Sequence, residues 1–244
     1  MTEQNDSDIM RFLHNGRIEL DGYVPWGSNY TFVVTMRHEG EEMLAVYKPR
    51  KGERPLWDFP TGTLCNRERA SYLLSEAIGW GIVPPTILRK GPQGYGSVQL
   101  YIDHDPNEHF FNFENKDDLR DQLIVITLFD LVINNADRKG GHVIRAYDNR
   151  LWAIDHGIAF HDEPKLRTVL WDFAGEPIPD HLTDDLTTLE KELNNHDPEG
   201  LCNQLTALLS SREMKALQYR VRSVRDRGVF PEPGPGRPYP WPLV

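Results

Sequence analysis

Residues 130–144 read DLVINNADRKGGHVI, and residues 151–157 read LWAIDHG. An apolar run leads into Asp137, and Gly140 and Gly141 follow at once, which predicts a turn rather than a continued helix. Two strand-like runs, 142–146 and 150–154, flank a short polar segment and predict a hairpin. Such a hairpin returns Asp155 to the start of its first arm, close to the turn that holds Asp137. The stretch therefore predicts two carboxylates and an imidazole, that of His142, at one place.

This set of groups is typical of phosphoryl transfer, in which a protein mainly positions an acceptor hydroxyl and metal-bound phosphates. Protein kinases place a metal-ligating Asn five positions after the catalytic Asp, and a D-F-G motif supplies another metal ligand. Here His142 lies five positions after Asp137, and Asp155 begins a D-x-G sequence. The alternative interpretation is an acidic turn followed by an ordinary hairpin, since short motifs also arise by chance.

Length, composition and charge limit the class of protein. The chain has 244 residues, of which 39% are hydrophobic and 26% charged, which predicts one large domain or two small lobes. A net charge of −10 argues against nucleic acid and anionic membranes as partners. We see neither a signal peptide nor an apolar run of membrane-spanning length. The two cysteines, Cys65 and Cys202, predict free thiols in a reducing cytoplasm.

The first hundred residues predict a β-rich lobe that carries one helix. Alternating apolar residues predict strands at 16–23, 30–37 and 43–48. Between the first two strands, a turn with Ser28 and Asn29 exposes backbone amides and small polar side chains. Such a turn could hold phosphates, although most turns of this composition are only turns.

Lys48 and Glu68 are candidates for a functional ion pair. Lys48 ends the third strand, and Glu68 lies in the first turn of a helix predicted at 66–79. In kinases a strand lysine contacts the ATP phosphates and pairs with a helix glutamate. A solvated strand end would also explain the lysine, and the helix dipole favours any first-turn glutamate. Glu76, in the last turn, is the weaker partner.

The rest of the chain divides into a hinge, a helical part and a tail. A hairpin at 86–90 and 97–102 precedes a polar linker, where a two-lobed kinase has its hinge, so backbone groups of three residues are predicted to contact adenine: Gln99, Leu100 and Tyr101. Helices are predicted at 119–133, 182–194, 199–209 and 213–227, the last with a capping box at 210–213. Residues 229–244 hold six prolines and predict a polyproline-like tail, either a partner ligand or packed on the body. Its aromatic residues Phe230, Tyr239 and Trp241 favour packing.

These motifs together resemble the atypical kinase superfamily of phosphatidylinositol 3- and 4-kinases and HipA-like kinases, and most closely its uncharacterised bacterial PI3/PI4-kinase-like branch. The resemblance covers nearly the whole chain. It is carried by residues 27–29, 47–49, 62–68, 79–85, 135–138, 142 and 154–157 and by the Pro-Trp-Pro tail. It implies an α+β, two-lobed atypical kinase fold with a β-rich N-lobe at 1–102, a helical C-lobe at 103–228 and the tail at 229–244.

The resemblance also implies roles for the site residues. Ser28 and Asn29 would lie in the phosphate loop, Lys48 would contact the ATP phosphates, and Glu68 would orient Lys48. Asp137 would be the catalytic acid/base, and His142 and Asp155 would bind the metal. ATP and Mg²⁺ would be the cofactors. The sequence departs from the superfamily at two positions, with Lys139 and His142 where His and Asn are usual. An imidazole is a softer ligand than an amide oxygen, so Mn²⁺ is expected to be tolerated beside Mg²⁺.

The acceptor is predicted to be a protein or small-molecule hydroxyl. A lipid kinase needs basic residues near its activation segment to contact anionic headgroups, whereas residues 156–177 hold only Lys165 and Arg167 against four acidic residues. One alternative is a pseudokinase that binds nucleotide without turnover, which His142 in place of Asn favours. Another is a metal hydrolase that uses His142, His156, His161 and the two aspartates, but it leaves Lys48 unexplained.

Overall fold

The structure, a computed structural model, describes residues 3–24 and 30–244. The predicted phosphate loop, with Ser28 and Asn29, lies outside the described residues. In chain order the elements are α1 (Glu3–Asn15), β1 (Arg17–Val24), β2 (Thr31–His38), β3 (Glu41–Pro49), α2 (Leu64–Ile78), β4 (Thr86–Gly91), β5 (Gly94–Leu100), α3 (Arg120–Ile133), β6 (Val143–Arg145), β7 (Leu151–Ala153), α4 (Asp180–Asn194), α5 (Leu201–Thr206) and α6 (Ser211–Arg227).

The first part of the chain forms a five-stranded antiparallel sheet in the order β1-β2-β3-β5-β4. The three predicted strands and the second hairpin are confirmed. The sequence analysis expected one helix here and missed α1. Ile9, Phe12 and Leu13 lie at helical spacing and are buried against the sheet, in a cluster with Val34 and Val98.

Helix α2 joins the sheet to the helical part. It ends as predicted at Gly79, whose φ of 83° suits a glycine, and the Gly79 amide donates to the Glu76 carbonyl. Ala70 and Leu74 of this helix are buried in the large hydrophobic cluster formed by α3–α6. A buried ion pair adds to this contact: Nη2 of Arg67 lies 2.5 Å from Oε1 of Glu213 in α6. Helix α2 is therefore bound tightly to the helical part.

The helical part follows its apolar pattern. Helix α3 is buried along most of its length and ends at Asn134, which has a φ of 53°. The predicted capping box of the last helix is confirmed: the Glu213 amide donates to Ser210 Oγ, and the Ser210 amide donates to Glu213 Oε2. The predicted hairpin is formed by β6 and β7, with Ile144 opposite Trp152. Within the described residues, none of the helices is both long and apolar enough to cross a membrane.

The tail, residues 229–244, lies on the body. Phe230 is buried against Phe173, and its amide donates to the Glu176 carbonyl. Farther along, the carbonyl oxygens of Pro238 and Leu243 accept hydrogen bonds from the body. The prediction that aromatic side chains anchor the tail is right for Phe230 and wrong for Tyr239 and Trp241, which are 48% and 87% exposed. The rest of the tail is bound largely through its carbonyl oxygens, because prolines have no amide hydrogen to donate.

Candidate active site

Lys48 in β3 contacts two carboxylates, one from α2 and one from the segment that follows β7. Its Nζ lies 2.5 Å from Oε1 of Glu68 and 2.9 Å from Oδ1 of Asp155. Burial by itself would lower the pKa of Lys48, but the charges of Asp155 and Glu68 outweigh it and raise the pKa above its ordinary value. Lys48 is therefore a fixed cation, and the alternative of a solvated strand end is wrong.

Glu68 connects Lys48 with the loop that carries Asp155. Its side chain is only 4% exposed, and Oε2 accepts a 3.0 Å hydrogen bond from the His156 amide. The structure corrects its predicted place in the helix, because α2 begins at Leu64 and Glu68 therefore lies in the second turn. Its burial and its two contacts, rather than the helix dipole, explain a glutamate here. A side chain at Gly157 would come within 3.4 Å of Leu64, so the loop and α2 approach closely.

Asp155 is the one left-handed residue of the D-x-G segment, with a φ of 59°. This backbone conformation is uncommon for a residue with a side chain and often marks a functional site. The carboxylate is 46% exposed, with Oδ1 on Lys48 and Oδ2 3.3 Å from Nε2 of His142. Burial opposes ionisation, yet the Lys48 ammonium dominates and holds the pKa of Asp155 well below its ordinary value. Asp155 is thus a permanent anion that faces the cleft.

The loop after α3 presents Asp137. The Asn135 side chain shapes this loop, because its Oδ1 accepts the Asp137 amide at 3.0 Å and its Nδ2 donates to Asp130 at 2.9 Å. Burial raises the pKa of Asp137 to about 6, and the Asp155 charge adds to the effect. Lys139 opposes it, with its Nζ 3.2 Å from Oδ2 of Asp137. Asp137 therefore titrates near neutral pH, as suits a group that exchanges protons.

His142 presents a neutral nitrogen to the cleft. Its Nδ1 lies 2.9 Å from the Asp137 carbonyl oxygen and 3.4 Å from the Lys139 amide nitrogen, and the shorter contact requires a proton on Nδ1. Nε2 then carries the lone pair and faces Asp155. Burial lowers the pKa of His142 to about 4, so the ring is uncharged at neutral pH. A neutral imidazole with its second nitrogen held by a carbonyl is a common form of a metal ligand.

Arg138 holds this site together, a role that the sequence analysis did not assign. The side chain is fully buried and paired with Asp130, with Nη2 2.9 Å from Oδ1. Its Nη1 donates to the carbonyl oxygens of His142 and Ile154. It therefore fixes the backbone on both sides of the predicted metal site. The sequence signal for this role was Asp130, an acid in the last turn of an apolar helix. A carboxylate buried there requires a charged partner.

His156 and His161 do not belong to the cleft. His156 is fully buried, and its Nε2 lies 2.7 Å from Nη2 of Arg138. His161 contacts the carbonyl oxygen of Asp58 through Nε2. Within the described part of the chain, groups of three or more His, Cys, Asp and Glu side chains suited to a metal do not occur. The metal-hydrolase interpretation thus loses two of its three histidines, because His156 contacts Arg138 and His161 contacts the Asp58 backbone.

The remaining donors fit a cation that takes most of its ligands from a nucleotide. Asp155 and His142 supply one carboxylate and one imidazole nitrogen 3.3 Å apart. Mg²⁺ is usually held by one or two protein groups together with substrate phosphates and water, rather than by an all-protein cage. Asp155 and His142, beside Lys48, meet that requirement and are the residues that would hold the ion.

The predicted hinge residues lie at the end of β5. Gln99 is buried, and its Nε2 donates to Thr86. The amides of Leu100 and Tyr101 donate to the carbonyl oxygens of Pro85 and Leu44. Both donors are thus engaged within the sheet region. Adenine recognition by this segment stays a prediction, and it requires groups other than these two amides.

The fold that carries these residues is kinase-like. The structure aligns with that of hydra Fam20 with sugar at a TM-score of 0.56, with 15% identity over 92% of this chain and 88% of that chain. It aligns with the Helicobacter pylori proinflammatory kinase CtkA at a TM-score of 0.51, with 11% identity over 88% of this chain and 93% of that chain. At such low identity, the similarity defines the fold and leaves the chemistry to the site.

The chain belongs to the family of Protein Rv2133c from Mycobacterium tuberculosis (strain ATCC 25618 / H37Rv). The two sequences are 36% identical over 277 aligned residues, which cover 99% of this chain and 97% of that protein. No protein-family model matches the chain.

Proposed function

We propose that this protein is an ATP-dependent kinase that transfers the γ-phosphate to a hydroxyl of a protein or small molecule. The observation that carries the proposal is the joint contact of Lys48 with Glu68 and Asp155, at 2.5 and 2.9 Å, beside His142 and Asp137. Kinases need these elements: a lysine for the phosphates, a glutamate to orient it, a metal ligand and a base. A kinase-like fold supports the assignment.

In this proposal each side chain has one task. Lys48 contacts the phosphates, and Glu68 keeps its ammonium in place. Asp155 and His142 hold Mg²⁺ or Mn²⁺, which would neutralise phosphate charge when bound. Asp137 orients the acceptor hydroxyl and takes its proton at Oδ1, because Oδ2 is engaged by Lys139. Ser28, Asn29 and the segment Gln99–Tyr101 complete the nucleotide site as predictions.

The acceptor is proposed to be a protein or small molecule rather than a membrane lipid. Of the two basic residues in 156–177, Lys165 is paired with Asp58, with 2.9 Å between Nζ and Oδ2. This leaves Arg167, which is exposed, to meet an anionic surface. A single cation contributes only about 1 kcal/mol near an anionic membrane. The relationship to PI3/PI4-kinases and HipA-like kinases, the two-lobe boundaries and the cytoplasmic location are proposed on the sequence alone.

The test is transfer of label from γ-labelled ATP by the purified protein with Mg²⁺ or Mn²⁺. Acceptors would be fractions of a cell extract, separated into proteins and small molecules, with α-labelled ATP as the control for simple binding. Label from the γ position on an acceptor is the expected result. ATP binding without transfer to any fraction contradicts the kinase proposal.

The second candidate is a pseudokinase that binds nucleotide as a regulatory module. The specific observation in its favour is His142, an imidazole where the kinase pattern has an amide, with its pKa lowered to about 4 by burial. If this ring prevents metal-bound ATP from adopting the geometry needed for transfer, the protein binds the nucleotide without transferring its phosphate. The same labelling experiment, combined with nucleotide-dependent thermal shift, separates the two candidates.

A further inference from the structure

The far end of the tail is hydrogen-bonded to the loop that carries Asp137. The Gly140 amide donates to the Leu243 carbonyl oxygen at 2.7 Å. A Cβ added at Gly140 would come within 3.0 Å of the Phe111 ring and 3.5 Å of the same Leu243 carbonyl oxygen. The loop backbone is therefore in close contact with both Phe111 and the tail. Gly140 lies between Asp137 and His142 in the chain, so these contacts act on both residues.

A second group of hydrogen bonds ties the tail to residues 167–171. The Pro238 carbonyl oxygen accepts from the Thr168 amide at 3.0 Å and from Nε1 of Trp171 at 3.2 Å. Residues 167–169 in turn bond to the backbone of Arg138, whose amide donates to Arg167 and whose carbonyl accepts from Val169. One short segment of the tail thus bonds both to the loop that carries Asp137 and to residues 168–171 beside it.

The tail is seated by a proline side chain as well as by these bonds. Pro240 is buried, whereas Pro235, five residues earlier, is exposed. Burial of Pro240 between the two hydrogen-bonded carbonyl groups, those of Pro238 and Leu243, fixes the register of the segment. The nucleotide side of the cleft, with Lys48 and Glu68, makes none of the contacts described for the tail. The tail therefore acts on the acceptor side of the site.

We propose that residues 238–243 are a positioning segment for phosphoryl transfer: they hold the Asp137 loop against residues 167–171 and so set the placement of the catalytic carboxylate. This inference rests on the proposed kinase function. Its physical basis is that misplacement of a catalytic group by about 1 Å can cost about 100-fold in rate. Release of the tail should lower kcat while the KM for ATP stays unchanged, because the groups that contact the phosphates are not involved.

The experiment compares two full-length variants, Pro240→Asp and Pro235→Asp. The first puts a charge at the buried position and should displace the tail, since an unpaired buried charge is strongly unfavourable. The second makes the same change at an exposed position and should behave as wild type. Hydrogen exchange of the Gly140 and Thr168 amides reports displacement directly, and it does so without any acceptor.

The expected result for Pro240→Asp is faster exchange at both amides, a kcat lowered by about 10- to 100-fold and a KM for ATP within about twofold of wild type. Loss of protection with an unchanged kcat would overturn the proposal, as would unprotected amides in the wild-type protein. Wild-type protein that transfers no phosphate at all would instead refute the kinase function.

If Pro240→Asp does not fold, Trp171→Phe tests the same contact more gently. It keeps a ring and removes the Nε1–H that donates to Pro238. Trp57→Phe is its control, since Trp57 is 92% exposed and away from the tail contacts. Faster exchange at Thr168 with a lower kcat in Trp171→Phe alone supports the proposal. Equal kcat in both variants despite faster exchange contradicts it.

Discussion

Asp137 and Asp155 belong to the same candidate site and have opposite electrostatic environments. Asp155 contacts the Lys48 ammonium, which holds its pKa well below the ordinary value despite burial. For Asp137, burial outweighs the charges of Lys139 and Arg138, and its pKa is raised to about 6. When the pKa values of two neighbouring acids are shifted in opposite directions, the group with the lower pKa suits a permanent charge and the group with the higher pKa suits a proton carrier. The comparison thus assigns different roles to two residues of the same type.

The largest effect is expected from Asp155→Asn. This change removes the anion that pairs with Lys48 and that would hold the metal ion on the phosphates. We expect loss of both Mg-ATP binding and transfer, measured by isothermal titration calorimetry and by the γ-label assay. Asp184→Asn, an exposed position in α4, is the matched control. Retained Mg-ATP affinity in Asp155→Asn would break the assignment.

Asp137→Asn should separate binding from transfer. The phosphate contacts stay in place, so Mg-ATP affinity is expected to match wild type, whereas loss of a general base lowers the rate by about 10²–10⁴-fold. The same two assays measure both quantities. Transfer at the wild-type rate would show that Asp137 is not the base.

The pH dependence should report Asp137. With its pKa near 6, transfer is expected to fall as the pH drops through about 6, because the protonated carboxyl cannot accept a proton. The Lys139 charge lowers this pKa, so Lys139→Gln should move the acid limb of the kcat profile upward by about one unit. Lys51→Gln, at an exposed position, should leave the limb where it is. A limb that stays fixed in Lys139→Gln would indicate that another group is titrating.

The smallest effect concerns stability. A carboxyl whose folded pKa is raised binds a proton more tightly when folded, so the protein loses stability as the pH rises from about 4 through about 6. Asp137→Asn should therefore unfold at a higher temperature than wild type at pH 7.5, with a gain of up to about 3 kcal/mol. The difference should vanish near pH 4. Differential scanning calorimetry at both values measures it, and a gain that is independent of pH would contradict the raised pKa.

The local patterns allowed much of the fold to be predicted. Strand alternation gave β2 and β3, helical spacing with Gly79 gave the end of α2, and a capping box gave the start of α6. Helix α1 was missed because its polar first residues obscured a short apolar face. Short-range physics decides these elements, so they can be deduced one at a time.

The site was harder to deduce, because its geometry depends on residues far apart in sequence. Lys48, Glu68 and Asp155 were named from a motif, but their contacts span up to 107 positions. The role of Arg138 depends on burial, which the sequence does not state. The tail contact of Gly140 is a hydrogen bond to a backbone carbonyl oxygen. Every residue has such a group, so the type of residue does not predict the contact.

The ion pair between Arg67 and Glu213 has a consequence for dividing the chain. Arg67 precedes Glu68 in α2, and its side chain is 1% exposed, with Nη1 on the Ala159 carbonyl oxygen and Nη2 on Glu213. A fragment that stops before α6 would leave this guanidinium buried without its carboxylate, which typically destabilises a protein by about 3–5 kcal/mol. A fragment without α6 is therefore expected to be less stable than the whole chain, and screens for ligands should use the whole chain.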